Sequence, residues 1–329
     1  MDEEQVETLQ APFPWFGGKS RVAPVVWERF GRLDNYVEPF FGTGAVLFGA
    51  PRVHRAETIN DADGFVANFW RSITADPDSV AYHADHPVNE NDLHARHAFM
   101  TPRRAELVAR LEGNPEFYDA QIAGWWVWGI CSWIGGGWCD GNGPWRSVDG
   151  KLVKGEPGGI SRQRPHLGPV RGVKRQLPHL SDAGQGVAKN VPLLEWFERL
   201  AKRLRRVRVC CGDWTRVCGP SPTTTLGMTG VFLDPPYSHD VGRDNECYAV
   251  EMPCSKAVAE WCRENEADPL LRIALCGYEG EHELPGWECH EWKTGGGYAT
   301  KGSNGTVNAN RERIWFSPRC IHDAQGRLF

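Results

Sequence analysis

The sequence predicts an α/β fold with a doubly wound, mostly parallel sheet, interrupted by an inserted region that is mainly helical and loop-rich. Two observations support the sheet. Short apolar runs typical of strands alternate with segments of helical periodicity in the first 75 residues, and the alternation returns from residue 190 onward. A third observation, the loss of this pattern in between, marks the insert. Strands that alternate with helices form parallel sheets covered by helices.

The first two predicted strands are each followed by a helix. Residues 35–40 (NYVEPF) form a short strand that meets a glycine turn, and residues 44–50 continue as a helix. Residues 56–60 (AETIN) suit a second strand, and a helix follows over 64–73. This order predicts parallel strands joined by helical crossovers.

The C-terminal part repeats the alternation of strands and helices. Its predicted elements are a helix over 193–206, strands over 207–213 and 230–237, a helix over 255–265, and strands over 271–277 and 313–318. These segments complete the predicted sheet.

The middle of the chain follows another pattern. Helical periodicity over 92–111 and 117–133 gives way to an irregular run, rich in Gly, Pro and Arg, that extends to about residue 188. A long loop-rich region inside a compact domain is usually functional or mobile. We therefore divide the chain into a first half-domain, an insert and a second half-domain, at residues 1–75, 76–189 and 190–329.

The composition is that of a soluble globular protein, with 41% hydrophobic and 24% charged residues. The polar, acidic N-terminus and the lack of a long apolar run predict a cytoplasmic protein without a membrane span. Eleven cysteines, an odd number with no CxxC pair, indicate free thiols. His94 and His97 could lie on one helical face as metal ligands, but no carboxylate or Cys is spaced in the sequence to complete such a site, so we predict no metal.

The formal net charge of −5 conceals an uneven distribution. Between Arg146 and Arg208, fifteen basic residues face five acids. Tryptophans also concentrate in the insert, where core packing explains at least half of them and the rest are candidates for stacking on bases. They are Trp125, Trp126, Trp128, Trp133, Trp138 and Trp145.

Two glycine-rich stretches lie in the first half-domain. PWFGGKSR (14–21) lacks the earlier glycine of a phosphate-binding loop, because position 13 is Phe. VEPFFGTG (37–44) places Gly42 and Gly44 after the first strand, where open α/β folds bind cofactors. Position 47 is Leu, so the dinucleotide fingerprint is incomplete. These departures disfavour an NTPase and a dinucleotide dehydrogenase.

Acidic residues follow two other strands. In INDAD (59–63), an acid after the second strand suits the hydroxyls of a ribose, and we prefer Asp61 to Asp63, although either residue suits a helix N-cap. In GVFLDPPYS (230–238), an apolar strand runs into an acid, two prolines and an aromatic residue. Asp-Pro also opens ordinary turns, so this stretch alone leaves a structural role open.

The motif order WFGGKS, EPFFGTG, NDAD, long insert and DPPY resembles the Dam-like DNA adenine-N6 methyltransferases, the alpha group of DPPY-type amino-methyltransferases. The similarity covers roughly residues 12–75 and 190–240 and is faint in the insert. It implies a Rossmann-like fold, S-adenosylmethionine as methyl donor, and double-stranded DNA as substrate. It also implies that the insert is the target-recognition region.

The resemblance carries site residues over by position. The catalytic tetrapeptide corresponds to Asp234, Pro235, Pro236 and Tyr237. The cofactor positions are Trp15, Gly17, Gly18, Lys19, Glu38, Pro39, Phe40, Gly42, Gly44, Asp61 and Asp213, the last matched only by its place after a strand. The DNA-binding candidates are Arg162, Arg164, Arg171, Lys174, Arg175, Lys301 and Arg311. The loop that carries the last two equally suits a surface hairpin. A monomer is favoured.

The chemistry explains the tetrapeptide. The exocyclic amine of adenine is a poor nucleophile, because its lone pair is delocalised into the ring. Asp234 and the carbonyl of Pro235 offer oriented acceptors for its two hydrogens, and the prolines hold them rigid. Tyr237 offers a face for an extruded base.

Several alternatives remain open. The same acceptors suit cytosine-N4 methylation, and an RNA or protein amino-methyltransferase or an inactive DNA-binding homologue is also compatible with the fold. Cytosine-C5 chemistry needs a nucleophilic thiol, but the Pro-Cys dipeptide ending at Cys254 has no Glu-Asn-Val partner, so we interpret it as structural. The recognition sequence and a phage or restriction-modification context do not follow from these motifs.

Overall fold

The computed structural model describes residues 9–13, 18–133, 138–139, 193–237, 254–292 and 311–322, together with the backbone of two strands at 145–148 and 151–154. The strands are β1 (Asn35–Glu38), β2 (Ala56–Asp61), β3 (Trp145–Val148), β4 (Lys151–Lys154), β5 (Val207–Cys211), β6 (Thr229–Leu233), β7 (Leu271–Tyr278), β8 (Glu288–Glu291) and β9 (Glu312–Phe316).

Seven of these strands form one sheet in the order β5-β2-β1-β6-β7-β9-β8. The first five are parallel, while β9 is antiparallel to both β7 and β8. From β1 the chain adds β2 and later β5 on one side of β1, and it then adds β6 and β7 on the opposite side of β1. The strand order therefore reverses between β1 and β6. Open α/β sheets bind ligands in the crevice at such a reversal.

Both faces of the sheet are buried. In β6, Phe232 belongs to one hydrophobic cluster, while Val231 and Leu233 belong to the other. In β7, Ile273 and Ala274 divide in the same way. Because successive strand side chains point to opposite faces, this alternation indicates a sheet covered on two sides.

Nine helices are described. They are α1 (Ala23–Phe30), α2 (Ala45–Phe48), α3 (Gly64–Ala75), α4 (Pro77–Ala84), α5 (Glu90–Met100), α6 (Arg104–Gly113), α7 (Ala120–Ser132), α8 (Leu193–Leu204) and α9 (Ser255–Asn265). Helix α9 contributes to the cluster that contains Val231, and α3 and α8 contribute to the cluster that contains Phe232. The predicted fold class, an α/β mostly parallel sheet with flanking helices, is confirmed.

The helices of the predicted insert share a core with the sheet domain. The ring of Phe69 in α3 lies with its centroid 6.0 Å from that of Trp126 in α7 and 5.9 Å from that of Phe197 in α8. Trp128, Trp133 and Trp138 are also buried. These four tryptophans are therefore core residues, and the division of the chain at residue 75 stays a prediction.

The structure differs from the prediction in five places. The helix predicted over 92–111 is interrupted by a 3₁₀ turn at Thr101–Arg103, where Pro102 cannot donate a helical hydrogen bond. Helices α1 and α4 and strand β8 were not predicted. Part of the run predicted as irregular forms the antiparallel pair β3 and β4.

Candidate active site at the carboxyl edge of the sheet

Four carboxylates lie at one edge of the sheet and on one of its faces. Glu38 ends β1, Asp61 ends β2, Asp234 follows β6 and Glu312 begins the antiparallel strand β9. Period-two alternation puts them on the face that carries Phe232, because each lies two or four residues from a side chain of that cluster. This edge includes the reversal point between β1 and β6.

The turn after β1 has the geometry that its glycines predict. Gly42 and Gly44 have φ values of 47° and 71°, in the left-handed region that favours glycine. A Cβ atom on Gly44 would lie 2.4 Å from Cζ of Phe41 and 2.7 Å from Cε2 of Phe48. Core packing around the turn therefore requires glycine at position 44, in addition to any approach of a ligand.

Asp61 holds this turn. Its Oδ2 accepts a hydrogen bond from the Gly42 amide at 2.9 Å, and its Oδ1 accepts one from the Asp63 amide at 2.8 Å. Burial and the nearby charge of Asp63 raise the pKa of Asp61 to about 7, although the hydrogen bonds from the two backbone amides act to lower it. Each oxygen retains acceptor capacity, because a carboxylate oxygen has two lone pairs.

Asp63 has a structural role. It is the N-cap of α3, where its side chain accepts from the Phe65 amide at 2.8 Å, and it forms an ion pair with Arg104 at 2.6 Å. The preference for Asp61 over Asp63 as the ribose acid is consistent with this arrangement and stays a prediction.

Asn60, next to Asp61, links two neighbouring loops. Its amide nitrogen donates to the carbonyl of Pro39, after β1, and to the carbonyl of Gly212, after β5, both at 3.0 Å. The loops after β1, β2 and β5 are thereby held together. The sequence analysis did not identify this residue.

Lys19 and Asp234, which are far apart in sequence, form an ion pair. Lys19 Nζ lies 2.8 Å from Asp234 Oδ2, and the two side chains are 5% and 16% exposed. Lys19 Nζ also donates to the Tyr237 hydroxyl at 3.1 Å and lies 3.9 Å from Glu312 Oε2. The contact joins the glycine-lysine motif to the catalytic tetrapeptide predicted from the sequence.

Tyr237 points into this cluster. Its hydroxyl lies 3.1 Å from Asp234 Oδ1 and 2.7 Å from Glu312 Oε2, and its ring packs edge-on against Tyr278 with centroids 4.6 Å apart. The residue is 6% exposed. Pro235 is buried and Pro236 is half-buried. The role of Tyr237 as a stacking surface for a base stays a prediction.

Glu38 is deeply buried in β1. Its Oε2 accepts from the Tyr36 hydroxyl at 2.8 Å. Burial raises the pKa of Glu38 well above its ordinary value, the Tyr36 hydrogen bond opposes this increase, and the charges of Asp234 and Asp61 add to it. The electrostatic coupling shows that the acids of the edge act on one another.

Asp213 and Phe40 lie at the ends of two other strands. Asp213 is exposed and is the N-cap of the 3₁₀ turn Trp214–Val217, where its Oδ1 accepts hydrogen bonds from the amide and the hydroxyl of Thr215. Phe40 is half-buried, and its ring centroid lies 6.3 Å from that of Trp214. The roles of Phe40 and Asp213 in cofactor binding stay predictions.

The predicted DNA-binding residues fall mostly outside the described part of the chain, as do two cofactor candidates. Those outside are Trp15, Gly17, Arg162, Arg164, Arg171, Lys174, Arg175 and Lys301. Gly18 is exposed. Arg311 is half-buried, with its guanidinium 5.5 Å from the ring centroid of Tyr278. Its role in DNA binding stays a prediction.

The basic segment contains one residue with a different role. Arg203 forms a bidentate ion pair with Glu57, at 2.6 and 2.9 Å, and the two side chains are 5% and 1% exposed. His54 Nδ1 lies 3.0 Å from the same carboxylate. The side chain of Arg203 is therefore a structural, buried part of the fold, although the residue lies in the basic segment between Arg146 and Arg208.

The described residues offer neither a membrane span nor a metal centre. No helix among them is both long and apolar enough to cross a bilayer. They also contain no group of three or more His, Cys, Asp or Glu side chains arranged to hold a metal ion. Cys254 is buried, and burial raises the pKa of its thiol to about 11, which disfavours a nucleophilic thiolate at neutral pH.

A family model matches the part of the chain that contains Lys19, Glu38 and Asp61. Residues 15–119 match the family model MethyltransfD12, described as the D12 class N6 adenine-specific DNA methyltransferase. The match confirms the resemblance and supports the enzyme class, a DNA adenine-N6 methyltransferase, with DNA as the substrate class. No curated protein matches the chain significantly. The D12-class match ends before Asp234, so the assignment of individual site residues stays a prediction.

Proposed function

We propose that the chain transfers a methyl group from S-adenosylmethionine to N6 of an adenine that is flipped out of duplex DNA. The observation that carries this proposal is the 2.8 Å contact between Lys19 Nζ and Asp234 Oδ2. It brings the tetrapeptide next to the N-terminal motif within a chain whose first part has the D12-class match. Asp234 also follows β6, one of the two strands that flank the reversal of the sheet.

The residues at this edge fit the cofactor by charge and by shape. S-adenosylmethionine carries a positive sulfur and a positive ammonium group, which the ionised carboxylates at these neighbouring strand ends, Asp61 among them, would complement. The positive φ values of Gly42 and Gly44 turn the backbone tightly between them. Asp61 retains lone pairs for the ribose hydroxyls, and Asp213 and Phe40 would contact the adenine ring.

When bound, S-adenosylmethionine supplies an electrophilic methyl group on a cationic sulfur. Asp234 and the Pro235 carbonyl accept the two hydrogens of the adenine amine and favour the pyramidal nitrogen that attacks a methyl group. Lys19 contacts Oδ2 and so orients the Asp234 carboxylate, and Oδ1 is then the oxygen that would accept a hydrogen bond from the amine. Acceptors that are fixed before the reaction stabilise the transition state without reorganisation.

DNA binding is assigned to the basic part of the insert and to the loop before β9. The predicted contacts, Arg162, Arg164, Arg171, Lys174, Arg175, Lys301 and Arg311, would neutralise phosphates, and their loss would reduce the salt dependence of binding. Flipping gives the enzyme access to a base that is otherwise stacked inside the duplex.

Nucleoside analysis tests the function. The protein is incubated with labelled S-adenosylmethionine and duplex DNA, the DNA is digested, and the modified nucleoside is identified. N6-methyl-2′-deoxyadenosine supports the proposal, whereas N4-methyl-2′-deoxycytidine identifies the alternative target that the same acceptors allow. Absence of transfer to DNA of mixed sequence would contradict it.

Substitution of Asp234 tests the residue. Asp234→Asn should lower the single-turnover rate by about 10²-fold or more, comparable to the loss of one preorganised transition-state contact. Cofactor affinity, measured by calorimetry, should change much less. Asp92→Asn makes the same chemical change at an exposed position of α5 and is the matched control. Equal losses of rate and cofactor affinity in Asp234→Asn would indicate that Asp234 binds the cofactor and does not act as an acceptor for the target amine.

A further inference from the structure

The hydroxyl of Tyr237 lies between two carboxylates. It is 2.7 Å from Glu312 Oε2 and 3.1 Å from Asp234 Oδ1, and it accepts a hydrogen bond from Lys19 Nζ at 3.1 Å. A phenol has a single proton to donate. Hydroxyl hydrogen bonds have a typical length of about 2.7–2.8 Å and rarely exceed about 3.0 Å, so the geometry directs the proton to Glu312.

This assignment has a consequence for Asp234. Its Oδ2 is held by Lys19, so Oδ1 is the oxygen that remains to accept a hydrogen from a substrate amine. If Tyr237 donated to Oδ1, that donor would compete with the amine for the lone pairs of this oxygen. Because the Tyr237 hydroxyl donates its proton to Glu312, Asp234 Oδ1 can accept a hydrogen bond from the substrate amine.

We propose that Glu312 is a positioning residue for methyl transfer: it holds the Tyr237 hydroxyl and so keeps Asp234 Oδ1 free to accept a hydrogen of the target amine. The inference rests on the proposed function, because it assigns Asp234 to that amine. It extends the site to β9, a strand outside both the tetrapeptide and the family match at residues 15–119.

The surroundings of Glu312 support a specific role for its carboxylate. The residue is 4% exposed and shares its strand face with Ile314 and Phe316, both fully buried. A carboxylate in apolar surroundings is costly unless donors compensate for lost water. Lys19 Nζ is 3.9 Å from Glu312 Oε2 but 2.8 Å from Asp234, so the closer donor to Glu312 is the Tyr237 hydroxyl.

The pKa of Glu312 is raised overall and reflects interactions with the same residues. Burial raises the pKa of Glu312; the Lys19 charge lowers it, the Asp234 charge raises it, and the Tyr237 hydrogen bond lowers it. Glu312 is thus coupled to all three members of the cluster. A carboxylate that served only to neutralise Lys19 would need no contact with the tyrosine.

A double-mutant cycle tests the proposal kinetically. Glu312→Gln should lower the single-turnover rate by about 10- to 100-fold, the range expected for loss of a hydrogen bond to a charged group. In a Tyr237→Phe background the hydroxyl is absent, so Glu312→Gln should change the rate by less than about threefold, since residues that act through one contact are not additive. Cofactor affinity should stay within about threefold throughout the cycle, because Glu312 acts through Tyr237.

The control is Glu260→Gln, the same change at an exposed position of α9, which should leave the rate unchanged. Equal losses from Glu312→Gln in both backgrounds would overturn the proposal, because they would show an effect independent of the tyrosine. A loss of cofactor affinity as large as the loss of rate would overturn it as well.

A crystal structure of the Glu312→Gln variant without DNA provides a readout that needs no activity. The Tyr237 hydroxyl is expected to move towards Asp234 Oδ1, to about 2.7 Å. An unchanged Tyr237 position would overturn the inference even if the enzyme is active. If the wild-type protein transferred no methyl group to any DNA, the proposed function would fail, while this structure would still decide which carboxylate takes the tyrosine proton.

Discussion

Replacement of Arg203 by Met is expected to destabilise the protein strongly without a direct effect on DNA contacts. The guanidinium makes two short hydrogen bonds to Glu57, and both side chains are almost fully buried. Removal of one partner of a buried ion pair leaves an uncompensated charge and costs about 3–5 kcal/mol. Because native proteins have about 5–15 kcal/mol of stability, this loss is a large fraction of the total.

Urea unfolding followed by circular dichroism measures the effect. With slopes of about 2–3 kcal/mol/M, the midpoint of Arg203→Met should fall by roughly 1–2 M. The double variant Glu57→Gln/Arg203→Met should be more stable than Arg203→Met, because no isolated carboxylate remains. Arg205→Gln changes an exposed arginine of the same segment and should alter the free energy of unfolding by about 0.5 kcal/mol or less.

The pH dependence of the effect follows from Glu57. Burial acts to raise the pKa of this residue, but hydrogen bonds from His54 and Arg203 outweigh burial and lower the pKa below its ordinary value of 4.5. Stabilisation by a carboxylate with a lowered pKa is fully present above the unfolded value and is lost as the pH falls through the folded value. The difference between wild type and Arg203→Met should therefore shrink in acid.

Two results would refute this reasoning. A loss of less than about 1 kcal/mol would show that the pair is solvated in solution, because exposed ion pairs contribute only that much. A salt dependence of DNA binding that falls by about one unit in folded Arg203→Met would show that the guanidinium contacts a phosphate.

Two other predictions follow from the edge of the sheet. The pKa of Asp61 is about 7, and its ionised form is the better acceptor for ribose hydroxyls. The affinity for S-adenosylmethionine should therefore increase by about tenfold between about pH 6 and about pH 8, and Asp61→Asn should remove this dependence. The same pH dependence in Asp61→Asn would assign the titration to another group. Gly44→Ala should lower the stability by at least about 1–2 kcal/mol from the left-handed backbone alone, with a further loss from the contacts with Phe41 and Phe48. Thermal unfolding measures this loss against Gly113→Ala, where nothing lies within 4 Å of an added Cβ, and equal melting temperatures would contradict the packing argument.

Local patterns in the sequence were sufficient for much of the fold. Helix α9 has the bounds that its periodicity predicts, and the strands over 207–211 and 229–233 begin within one residue of the predicted starts but end two and four residues earlier than predicted. Period-two alternation and turn residues are local signals, and they act within a few positions of the chain. Helix α4 was missed although Asp76 caps it and Pro77 begins it, two start signals that the periodicity argument did not use.

The site was predictable where it depends on strand ends and unpredictable where it depends on long-range contacts. Acids after β1, β2 and β6 are visible in the sequence, because parallel strands bring their carboxyl ends to one edge. The ion pair between Lys19 and Asp234 joins two distant motifs, and no local pattern encodes it. Glu312 did have a signal, since alternation in ERIWF puts this acid on the same face as Ile314 and Phe316.

The acidic edge also bears on where DNA binds. The ionised carboxylates at this edge repel phosphates, while one nearby cation, Lys19, is engaged with Asp234 and the Tyr237 hydroxyl. A base is uncharged and can approach these acids, but the phosphates of the DNA strand that carries it need positively charged side chains farther from the edge. The sequence places basic residues in the insert from Arg146 onward, and the pairing of Arg203 with Glu57 removes one member from that set. We therefore expect the phosphate contacts to come from the part of the insert before α8, together with Lys301 and Arg311 before β9.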